Sequence, residues 1–70
     1  MAYKQLTKAP GEHSAWHKNT GGLSILITKG KGYYQERGQE ARLLHAGDIV
    51  EAGANIEHWI GAAPGCPMSY

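Results

Sequence analysis

The chain has 70 residues, enough for one small domain and too few for two hydrophobic cores. Seven basic and six acidic residues give a net charge of +1, too even a field to gather nucleic acid or anionic lipid. A single cysteine, Cys66, rules out an intramolecular disulfide, so a chain this short is expected to draw support from a metal or a second subunit. The hydrophobic share of 41% is that of a globular protein. No apolar run approaches the roughly 18 residues of a membrane helix, and Gln5, Thr7 and Lys8 stand where a signal peptide would be apolar. These features predict one cytoplasmic domain over 1–70, with no nucleic-acid or membrane partner.

The ten glycines recur at the spacing of turns between short strands in a sandwich or barrel. Leu23 to Thr28 alternates, placing Leu23, Ile25 and Ile27 on one face and Ser24, Leu26 and Thr28 on the other. Gly30-Lys31-Gly32 lacks the spacing of a phosphate-binding loop and reads as a hairpin connection. Tyr33 to Arg37 and Glu40 to Leu44, joined by Gly38-Gln39, predict a hairpin, since glycine at the first central position suits a type II′ loop. Tyr33 and Tyr34 must then point to opposite faces. Helix propensity offers a rival over Gln39 to Ala46, ended by Gly47, but that stretch is barely two turns long among strand-like neighbours. Ile49 to Ala52 and Ile56 to Ile60 complete the strand pattern.

Four histidines are the main chemical signal. His13 and His45 sit in turn segments and read as solvated. His17 and Asn19 share a face if their segment is extended, with Trp16 and Lys18 turned away; His58 and Ile60 share one likewise. Two distant strands could thus bring two imidazoles to one point, an arrangement suited to a divalent metal. Trp16 and Trp59 then face away from the imidazoles, toward a packing surface. Cys66, between Gly65 and Pro67, has no partner pattern for a nucleophile and reads as a plain thiol.

Gly11, His17, Asn19, Leu23 and Gly30 fall on the spacing of the first cupin motif, and Gly47, Gly53, Asn55, His58 and Ala62 on that of the second. The 16 residues between Gly30 and Gly47 match the short segment between motifs in compact bacterial cupins. The chain therefore resembles the small single-domain cupins, a group that includes manganese-dependent hydroxynitrile lyases and dioxygenase-like proteins. The resemblance covers about Leu6 to Tyr70 and implies an all-β fold, a small jelly-roll-like antiparallel barrel. Its amino-terminal strand would begin near Tyr3, and relatives continue into further strands beyond Met68-Ser69-Tyr70. Exposed sheet edges and a homodimer are the expected consequence.

The motif is altered at its ligand positions. Asn19 replaces the second histidine and Leu23 the glutamate or glutamine, so the resemblance leaves His17, Asn19 and His58 to hold Mn, Fe, Ni or Zn. An amide oxygen is a weaker donor than a carboxylate, and the set is one negative charge short. The metal-bearing version would polarise a small oxygenated or carbonyl substrate. The alternative is a pocket without metal, in which His17 and His58 hydrogen-bond or move protons. Leu23, Ile25, Ile27 and Ile60 would line it and receive a small apolar ligand or simply pack. At the second motif, Asn55 stands where a glycine is usual, and asparagine tolerates the positive φ that such a glycine can use.

Overall fold

The computed structural model describes residues 5–70; the strand start expected near Tyr3 lies outside them. Seven strands follow in order: β1 (Thr7–Lys8), β2 (Leu23–Leu26), β3 (Lys29–Glu36), β4 (Arg42–His45), β5 (Ile49–Ala52), β6 (His58–Ala62) and β7 (Met68–Ser69). Every pairing between them is antiparallel. Among the described residues there is no helix long and apolar enough to cross a membrane. The stretch for which propensity offered a helix is the loop before β4, β4 itself and the turn after it.

β3 organises the larger sheet. One edge pairs with β4, while the other pairs first with β7 and then with β6. The switch between partners needs a glycine: Gly30 has φ +81, and a Cβ there would run into the Pro67 carbonyl. β1 extends this sheet beyond β7, and β2 with β5 forms a second, two-stranded sheet. The inward faces of the two sheets meet in a core of Ile25, Ile27, Tyr34, Leu44, Val50, Ala52, Ile60, Ala62 and Met68.

The β3–β4 hairpin differs from the type II′ expectation by one residue. Tyr34 lies opposite Arg42, where a two-residue Gly38-Gln39 loop would have put Leu43. The observed turn is closed by Gln39 N–H donating to the Glu36 carbonyl at 3.0 Å, with Gly38 at φ +86 in its third position. The Gln35 amide also donates to the Gln39 carbonyl at 2.8 Å. A one-residue slip exchanges the faces of a strand. Leu44 accordingly enters the core with no exposed surface, and Leu43 faces outward at 44%.

Asn55 adopts a positive φ, 61°, the conformation that asparagine tolerates in place of the motif's glycine. Its N–H donates to the Asn19 carbonyl at 2.8 Å, tying the turn before β6 to the segment after His17.

Candidate functional site

The segment from Glu12 to Asn19 runs along the free edge of β6. His17 and His58 exchange reciprocal backbone bonds, His17 N–H to His58 carbonyl at 3.0 Å and the reverse at 2.9 Å. Such a pair directs both side chains to one face as immediate neighbours. The rings meet edge to face with centroids 4.4 Å apart. Two residues separated by most of the chain thus form one unit, and His58 within it is fully buried.

The local geometry of the two imidazoles matches. Nδ1 of His17 contacts the Ala15 carbonyl at 2.9 Å, and Nδ1 of His58 contacts the Ile56 carbonyl at 3.0 Å. In each case the acceptor lies two residues earlier. A carbonyl only accepts, so the hydrogen of each neutral ring sits on Nδ1 and a lone pair remains on Nε2. Nε2 of His58 is buried without a partner, a condition that costs about 1–3 kcal/mol unless a ligand relieves it. Backbone carbonyls holding Nδ1 while Nε2 stays free is the arrangement that prepares histidine for a metal. By donor chemistry, the histidine pair fits a divalent cation. Among the described residues, however, no three His, Cys, Asp or Glu side chains converge on one point.

Asn19 lies half-buried two residues after His17, with its carbonyl engaged by Gly22 and Asn55 N–H groups at 3.3 and 2.8 Å. Ile25, Ile27 and Ile60 lie in the buried core. Leu23 belongs to the same face of β2 but, at its first position, is 42% exposed and outside the core cluster.

The pairing of β3 with β6 brings in residues that sequence reasoning missed. Glu36 lies directly opposite His58 on the flank away from His17. Tyr34, two residues earlier on the same face, packs its ring 5.4 Å from that of His58 and donates its hydroxyl to Glu36 at 2.9 Å. Burial, with help from the Glu36 bond and charge, pushes the Tyr34 phenol far above its usual range. Tyr34, Glu36, Gln39, Glu40 and Arg42 line an open depression of about 210 Å³. The period-2 alternation of β3 could have put Tyr34 and Glu36 on one face, but the register against His58 is a property of the fold.

On the outer face, Trp59 donates Nε1–H to the Gln35 side-chain oxygen at 2.8 Å, and the Arg37 guanidinium lies 4.7 Å from the Trp16 ring centre. His13 packs against Trp59 at 5.6 Å. His45 is exposed and 3.9 Å from Asp48.

Comparison with known proteins gives consistent results. A family described as "Cupin domain" matches residues 5–69. An (R)-mandelonitrile lyase from Granulicella tundricola is 34% identical over 70 residues, covering 100% of this chain and 53% of that protein. The crystal structure of a cupin-like protein from Thermotoga maritima superposes with a TM-score of 0.91 at 45% identity, over 93% of this chain and 49% of that one. The chain therefore spans about half the length of these relatives.

Proposed function

The chain belongs to the cupin family, and from that premise we propose that its barrel mouth binds a divalent cation through Nε2 of His17 and Nε2 of His58, with the Asn19 amide oxygen as a weaker donor. The carrying observation is the fully buried Nε2 of His58, left without a partner beside a second imidazole prepared in the same way. One cation shared by the two neighbouring imidazoles would give the buried Nε2 of His58 the partner it lacks. Mn, Fe, Ni and Zn all accept imidazole, and carboxylate-poor sites do not favour the harder Mg or Ca. Bound there, the cation would act as a Lewis acid toward the oxygen of a small carbonyl or hydroxyl compound. Tyr34, Glu36 and Arg42 would set the polarity of the space such a molecule enters.

The relative described as a mandelonitrile lyase makes cyanohydrin cleavage the first reaction to assay, as one use of such a site on a shared fold. Association into a homodimer belongs to the same proposal: Leu26 and Ile49 stand opposite each other on the outer face of β2 and β5, each more than half exposed. Metal analysis of protein supplemented with Mn, Fe, Ni or Zn tests the binding reading. Near-stoichiometric metal with a raised thermal midpoint is expected; no retained metal and no thermal shift would overturn it. For the dimer, sedimentation at micromolar concentration should give twice the chain mass, and a stable folded monomer would contradict it.

A further inference from the structure

Register places three side chains in one row across neighbouring segments: His17, His58 and Glu36. The His58–Glu36 pair is a non-hydrogen-bonded one, since the flanking exchange is Arg37 N–H to the Glu57 carbonyl. At such positions Cα atoms approach to about 4.5 Å and side chains are closest. The other acids are placed elsewhere. Glu12 accepts from the Ala9 N–H, Glu51 from Ser24, Glu57 from Arg37, and Asp48 from the His45 N–H. Glu40 lies in the loop beyond Glu36, lining the same depression. Glu36 alone of the six sits in register with the histidine pair.

We propose that Glu36 is the carboxylate ligand of this site: released from the Tyr34 hydroxyl, it closes on a divalent cation held by Nε2 of His17 and Nε2 of His58. The inference rests on the metal-binding reading above and supplies what that reading lacks. Leu23 stands on β2 where the first motif carries a glutamate or glutamine and cannot coordinate, and Glu36 would supply a ligand and one negative charge from β3, on the flank of His58 away from His17. In the present arrangement the Tyr34 hydroxyl holds that carboxylate at 2.9 Å, and the three side chains do not converge, so closure requires Glu36 to turn from Tyr34 toward His58 and would exchange one hydrogen bond for a metal bond. Tyr34 is thus a positioning residue that competes with the cation for Glu36.

Isothermal titration of the metal-free full chain with Mn2+ and with Ni2+ tests this, comparing wild type with Glu36→Gln, Glu36→Asp, Tyr34→Phe and His58→Ala. Glu36→Gln keeps size and hydrogen bonding but removes the charge, and should weaken affinity at least about tenfold, the loss seen even for partners that only support a ligand. Glu36→Asp should recover part of that loss, and Tyr34→Phe should bind more tightly than wild type. If His58→Ala abolishes binding while Glu36→Gln stays within twofold of wild type, Glu36 is not a ligand, although the histidine site stands. If the wild type takes up neither ion, both the site and this ligand are refuted. Far-ultraviolet circular dichroism of each metal-free variant separates lost binding from lost folding.

Discussion

The two ends of the barrel interior obey the same alternation with opposite results. Along the inward alternation that runs through β2, Leu23 at its start is 42% exposed while Ile27, just past its end, is fully buried. The closed end holds Ile27, Leu44, Val50 and Met68, all without exposed surface. The open end holds His17, His58, Tyr34 and Glu36, with one buried nitrogen unpartnered. Facing inward therefore does not mean the same thing at both ends. At one it contributes apolar burial, and at the other it buries the polar groups of His58 and Tyr34, where interactions are stronger, beside the exposed His17.

The contrast can be broken most severely at the closed end. Ile27→Ala should cost about 2–5 kcal/mol in urea denaturation, the range for emptying a packed core position. Leu23→Ala, on the same face, should cost less than about 1 kcal/mol, because most of that cost scales with burial. Equal losses at the two positions would remove the distinction between the ends. A smaller effect is expected at the turn that feeds β6. Asn55→Ala places a β-carbon residue at φ 61 and should destabilise by about 1–2 kcal/mol, whereas Asn55→Gly should be close to neutral; matching midpoints for both variants would contradict the backbone account.

The mildest expected effect is alkaline. Tyr34 is raised by burial first and by Glu36 second, so the fold prefers the neutral phenol. That preference is fully present below the ordinary phenol value of 10.0 and is lost as pH rises toward the raised folded value. Stability of the wild type should therefore fall above about pH 10, with a shallower fall in Tyr34→Phe, measured by denaturation at a series of alkaline pH values. Identical slopes would place the phenol's preference outside the folded barrel.

Sequence reading was most informative where a local signal sufficed. The alternation of β2, the identity of β5 and the positive φ at Asn55 each depend on a few neighbouring residues. The spacing of His17, Asn55 and His58 carried the family, because several glycine-bearing turns fell into register with it at once. The β3–β4 loop was misjudged by one residue, since Gly38 serves a turn in either position and long-range packing of Leu44 decides between them. Glu36 and Tyr34 were overlooked because nothing near them in the chain refers to His58. Only the pairing of β3 with β6 makes them neighbours.

The central claim is that the histidine pair at the open end is a metal site. Its most direct test is equilibrium dialysis of the metal-free chain against Ni2+, alongside His17→Ala and His58→Ala. One ion per chain in the wild type, lost in both variants while their folds persist, is the predicted result. Equal uptake by all three proteins would contradict it.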